Sequence, residues 1–245
     1  MLIPFRDQNP SRRRPFVTYG LIATNVLVFL AYWPLFNDSA AIHRFFVDWA
    51  LIPAAVLNGH LLFGIVTSMF LHGGIAHIFF NMLALHIFGD NLEETLGHIP
   101  FLLFYLACGV ASAIAHAAMN PYSIVPTVGA SGAIAGIMGG YLLLFPKARI
   151  DMFLFLVIIF RVFSLSAWVV LGGWLLIQLY GAAANGASSG VAYWAHISGF
   201  AVGAALIFPT WLRRGGTRYW RNSHGRPNNP KSKPTINIPV VRRNR

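Results

Sequence analysis

Apolar residues fall in long runs along this chain, each bounded by prolines, glycines or charges. The first run, Phe16 to Leu35, ends at Pro34 and the polar Asn37-Asp38-Ser39. The second follows His72-Gly73-Gly74, extends from Ile75 to about Gly89, and stops at Asp90-Asn91-Leu92-Glu93-Glu94. Gly97 and Pro100 lead into the third, Phe101 to about Met119. The fourth opens at Ser131 and closes at Pro146-Lys147-Ala148-Arg149; the last is Val191 to Trp211. Runs of about 20 apolar residues cross a bilayer as helices, so the pattern predicts membrane spans.

Two stretches break the pattern. Residues 37–66 hold the apolar pieces Ile42 to Leu51 and Val56 to Val66, each too short to cross; with Trp49, Phe45 and Phe46 they suit the membrane interface. In residues 150–181, Arg161 divides two apolar runs. An arginine at mid-bilayer costs several kcal/mol or about that. One span from about Ser164 to Gly181 is therefore expected, with residues 151–163 as an interfacial segment or an extended first turn. The predicted fold is an all-α, polytopic bundle of six transmembrane helices with a membrane-associated first loop. It occupies residues 16–210, between a basic, disordered N-terminus (1–15) and a basic, disordered tail (211–245).

Composition agrees with the pattern. The chain is 56% hydrophobic and 10% charged, against about 25% charged in soluble domains. The net charge of +11 is concentrated: 16 of the 18 Lys and Arg lie before residue 15, at Lys147/Arg149, or from Arg213 onward. Six spans put all three groups on one side, as the positive-inside rule requires. Both termini are thus expected in the cytoplasm, and the short polar ends fit a bacterial inner membrane. No cleavable signal pattern is evident. The basic tail is a topology device and nucleic acid is not an expected partner. The single Cys108 excludes an internal disulfide and a cysteine-based zinc site, and no metal or cofactor is expected.

This topology brings distant polar residues to one depth. His77 and Asn81, at i and i+4, share a helix face near the outer end of the second span. Ser131 lies at the outer end of the fourth and His196 within the first two turns of the sixth. Gly132, Gly136 and Gly140 repeat every four residues, as do Ala195, Gly199 and Gly203. Small residues at that spacing let helices approach closely and could bring Ser131 within reach of His196. The serine would then be a nucleophile, and His196 its general base and acid. Asn81, His77 and the Ser131 backbone N–H would serve as oxyanion donors. All seven acids lie in loops or at span ends, so a dyad is expected rather than a triad. Taken singly, Ser131 reads more readily as helix-packing glue, and His72 and His116 as structural or loop-positioning groups.

Together these residues resemble the rhomboid family of intramembrane serine proteases. His77-Ile78-Phe79-Phe80-Asn81 matches its H-x-x-x-N, and Gly129-Ala130-Ser131-Gly132 its G-x-S-G. Residues Ala195 to Gly203 match its A-H-x-x-G-x-x-x-G, and Leu92 to Gly97 its acidic turn. The resemblance covers roughly residues 16–210. It implies a Ser131–His196 dyad, a water-filled cavity open to the outer face, and cleavage of single-span membrane proteins near their outer boundary. It also implies a preference for small residues at the cut. Two positions depart from the family pattern. Phe63-Gly64 replaces a frequent Trp-Arg in the first loop. Ala135 stands where some members carry an aromatic residue against the catalytic histidine. A catalytically silent relative that binds or retains membrane clients is the alternative reading. A transporter would be expected to show inverted half-helix repeats, and a metalloprotease H-E-x-x-H; the sequence has neither.

Overall fold

A computed structural model describes residues 2–9, 11–156, 159–184 and 190–227. Helix α1 (Phe16–Tyr32) turns the face Thr18, Leu21, Asn25, Phe29 and Tyr32 inward. Its other face carries exposed Leu27 and Leu30; a helix apolar all round belongs in lipid. A 3₁₀ turn, Trp33–Asn37, extends it. Among the described residues, four helices are long and apolar enough to cross a membrane: α1 with that turn, α6 (His98–Met119), α8 (Ala167–Ala184) and α9 (Tyr193–Arg213). A fifth span forms if Gly64–Phe70 and α5 (Ile75–Leu96), bent by 91° at their junction, are taken as one. Helix α7 (Ser131–Leu144) has only 14 residues, or ~21 Å at 1.5 Å per residue, less than the ~30 Å hydrocarbon core. It is the most enclosed helix, buried from Gly132 to Tyr141 without interruption.

The core is built on α7 and α9. A methyl group at Gly203 would lie 1.9 Å from the Gly136 carbonyl oxygen, and one at Gly199 would lie 2.1 Å from that of Gly132. These backbones touch with no side chain between them, which is what the four-residue glycine repeat makes possible.

The first loop contains α2 (Ser39–Trp49), α3 (Pro53–Leu57) and α4 (Gly64–Thr67). Asp38 caps α2 by accepting from the Ala40 and Ala41 N–H groups. A Cβ at Gly64 would lie 2.5 Å from the Ala50 carbonyl oxygen. The loop is therefore closed by backbone contact at the position where an arginine is frequent in the resembled family. The Thr67 hydroxyl donates to the Trp49 carbonyl, and Leu51 pairs with Thr127 in the loop before Ser131.

Three expectations are corrected. The fold is mostly helical but not all-α: β1 (Leu2–Asp7), β2 (Arg149–Leu156) and β3 (Ile159–Ser166) form an antiparallel sheet in the order β1-β2-β3. Residues 151–156 and 159–163 are thus not an extended first turn of α8 but parts of the paired strands β2 and β3. The register Leu154↔Arg161 puts Arg161 on β3, where it is exposed. The N-terminus is also structured. Asp151 accepts hydrogen bonds from Arg6 Nε (2.6 Å), Gln8 Nε2 (2.7 Å) and the Ser164 hydroxyl (2.5 Å), tying all three strands together. Lastly, the segment after residue 211 begins with a short helix, α10 (Thr217–Ser223); residues 228–245 lie outside the described residues.

The acidic turn has a structural task as well. Helix α5 continues past Asp90 to Leu96, and Glu93 accepts from the Val17 N–H (2.9 Å), the Thr18 N–H (2.8 Å) and the Thr18 hydroxyl (2.7 Å). Pro15 gives α1 no side-chain cap. Glu93 supplies a carboxylate there from another helix, where the free N–H groups and the helix dipole favour negative charge.

Candidate active site

Ser131 is the first residue of α7 and His196 lies in the first turn of α9. The glycine contacts below them fix the separation of the two helices, and at their shared end Ser131 Oγ is 2.7 Å from His196 Nε2. Ser112 on α6 braces this end by donating to the Ala195 carbonyl at 2.8 Å.

His77 and Asn81 face the same space from α5. The Gly73 backbone N–H donates to His77 Nδ1 at 3.2 Å; in the neutral imidazole this leaves the proton on Nε2. A Cβ at Gly129 would lie 2.8 Å from His77 Nε2 and 3.4 Å from Ser131 Oγ, so Gly129 separates donor and hydroxyl by one backbone width. Its φ of +133° also lies where side chains are disfavoured. Asn81 Nδ2 donates to the His77 carbonyl at 2.9 Å. Ser131, His196, His77 and Asn81 all line one cavity of about 590 Å³. Among the described residues, none that lines it is acidic.

His116 and His72 meet the framework, His116 through its ring and His72 through its backbone. His116 Nε2 is 3.3 Å from the Thr127 hydroxyl, in the loop preceding the serine. The Tyr32 hydroxyl donates to the His72 backbone carbonyl and accepts from the His72 backbone N–H.

Two residues at the site had no counterpart in the sequence expectations. Trp174 and Gln178 lie one turn apart on α8. The Trp174 ring centroid is 5.6 Å from that of His196, and Gln178 Oε1 is 2.8 Å from His196 Nδ1. The support that Ala135 does not give therefore comes from a different helix. Position 135 has no room for an aromatic ring: Ala135 is fully buried against the backbone of α9 at Gly199. The available signal was a lone amide in an apolar span, since polar groups at such depth are costly and tend to be functional.

A family model described as Rhomboid domain matches residues 60–213. The chain belongs to the rhomboid family. This rhomboid is 35% identical over 129 residues to rhomboid protease GluP of Bacillus subtilis (strain 168), which covers 53% of the chain and 24% of that relative. It is 40% identical over 78 residues to the putative rhomboid protease YdcA of the same organism, 32% of the chain and 39% of the relative. It is 32% identical over 143 residues to mitochondrial rhomboid protein 1 of Saccharomyces cerevisiae (strain ATCC 204508 / S288c), 57% of the chain and 39% of the relative. The matches thus span well under two thirds of these relatives' own lengths. With its family and its apolar helices, this rhomboid is an integral membrane protein.

Proposed function

We propose that this rhomboid is an intramembrane serine endopeptidase that cuts single-span membrane proteins near their outer membrane boundary. The observation that carries the reading is the 2.7 Å approach of Ser131 Oγ to His196 Nε2 at the wall of a cavity shared with His77 and Asn81. The two protease-named relatives favour the same chemistry. In this scheme six segments span the bilayer, with the short α7 enclosed by the rest. Both termini face the cytoplasm and the cavity opens to the outer face, in a bacterial inner membrane.

The chemistry follows from the groups present. Ser131 Oγ attacks the scissile carbonyl carbon as its proton passes to His196 Nε2. Negative charge develops on the carbonyl oxygen, and His77 Nε2–H, the Asn81 amide and the Ser131 backbone N–H stabilise it. His196 gives its proton to the departing amine, leaving an acyl ester on Ser131. Water, deprotonated by the same histidine, hydrolyses the ester and frees the serine. The Ser131 N–H begins α7, where the first turn has no helical acceptors.

The test is labelling by a fluorophosphonate probe, alongside cleavage of a model single-span substrate in liposomes. Wild type should label and cleave; Ser131→Ala and His196→Ala should do neither. Cleavage by Ser131→Ala at the wild-type rate would refute the reading. Substrate capture without turnover by wild type would replace it with the client-binding alternative.

A further inference from the structure

We propose that Gln178, assisted by Trp174, is the positioning residue for His196, doing with a neutral amide what an aspartate does in a serine protease triad. The proposal deepens the reading above and rests on it.

His196 can take the serine proton only if Nε2 is unprotonated, so its own ring proton must sit on Nδ1. Gln178 Oε1 lies 2.8 Å from Nδ1, and an amide oxygen can only accept. The bond therefore selects the tautomer that leaves Nε2 free toward Ser131 Oγ, 2.7 Å away on the opposite side of the ring. Trp174, one helical turn earlier, lies against the same ring at 5.6 Å with an interplanar angle of 39°. One neighbour fixes the ring along its own plane and the other limits its tilt.

The orientation of α8 argues that this contact is specific. Gln178 is 7% exposed while its neighbours Leu176 and Ile177 are 67% and 65% exposed. The apolar side chains face outward and the amide is turned inward onto the histidine. A glutamine suits the setting better than a carboxylate would. Among the described residues no acidic one lines the cavity, and a buried ionised carboxylate carries a desolvation cost that an amide avoids. The amide still sets the tautomer. It does not stabilise the imidazolium as strongly as a negative charge would.

That difference supplies the test, on purified wild type, Gln178→Met and Gln178→Glu in liposomes with a model substrate. Ser131→Ala is included as the inactive reference. Gln178→Met keeps the length and removes the acceptor; kcat should fall roughly tenfold to a hundredfold with KM little changed. Gln178→Glu restores an acceptor and adds charge that favours the protonated ring. It should recover much of kcat and shift the acid limb of the pH–rate profile to higher pH. Melting in detergent identifies any variant that does not fold. If Gln178→Met works at the wild-type rate, the proposal is overturned. It is also overturned if Met and Glu variants that both fold lose activity equally with the acid limb unmoved, since that is the behaviour of a packing residue. A wild type as silent as Ser131→Ala would instead overturn the proteolytic reading itself.

Discussion

Asn81 uses one amide proton on its own helix, donating to the His77 carbonyl, and leaves the other for a guest in the cavity that it lines. A donor of this kind matters most when charge appears on the substrate oxygen. Asn81→Ala should therefore lower kcat by about 10²–10³ with little change in KM, measured by steady-state cleavage in liposomes. An equal rise in KM at constant kcat would mean that Asn81 holds ground-state substrate instead. His77 and Asn81 were legible as a pair because a spacing of four residues defines one face of any helix. Ser131 and His196 were legible through the glycine repeats beside them. Gln178 was not, for a physical reason. Its place against His196 depends on the rotation of α8 about its own axis, and that rotation is set by packing with α9, which leaves no mark in the hydropathy of α8.

At the scale of elements, the pairing of α7 with α9 is the least tolerant feature. Gly203→Ala puts a methyl group where the Gly136 carbonyl oxygen sits 1.9 Å away, and only separation of the helices relieves it. We expect a loss of about 1–3 kcal/mol or more, read as a lower melting temperature in detergent. A Cβ at Gly172 meets nothing within 4 Å, so Gly172→Ala should melt close to wild type. Similar melting of both variants would show that the backbones are not in contact as described. The helices themselves were largely legible, their ends moving by a few residues, as in α5, where Asp90 and Glu93 lie inside the helix. The sheet was not. Met152 to Phe160 is continuously apolar, and periodicity alone does not separate a short buried helix from a fully apolar strand. Its partner β1 is far away in sequence and starts in a segment whose charges suggest disorder.

For the whole molecule, the sheet joins the helices through a buried polar cluster. Asp7 accepts from Tyr141 Oη at 2.9 Å and Asn91 Nδ2 at 2.6 Å. Burial, with the nearby Asp90 charge, pushes the Asp7 carboxyl from 3.8 up to about 8, against the hydrogen bonds from Tyr141, Asn9 and Asn91. The folded chain thus holds this proton more tightly than the unfolded chain. The stabilisation is complete below the ordinary value of 3.8 and declines as pH rises toward about 8. Melting temperatures measured from pH 5 to 9 should fall more steeply for wild type than for Asp7→Asn, which stays neutral throughout. Parallel curves would mean that Asp7 ionises without cost.

Strand β3 ends at Ser166 and α8 begins at Ala167, with no linker to absorb movement between them. The helix that carries Trp174 and Gln178 therefore grows directly out of a sheet whose outer strand is Leu2–Asp7. Removing that strand would leave a two-stranded hairpin, marginal on its own, and would bare the β2 edge to other chains. An amino-terminal stretch that hydropathy marks as dispensable is therefore part of the footing of the cavity wall. Where an expression tag is fused, or how many leading residues are trimmed, bears on His196 from the opposite end of the bundle.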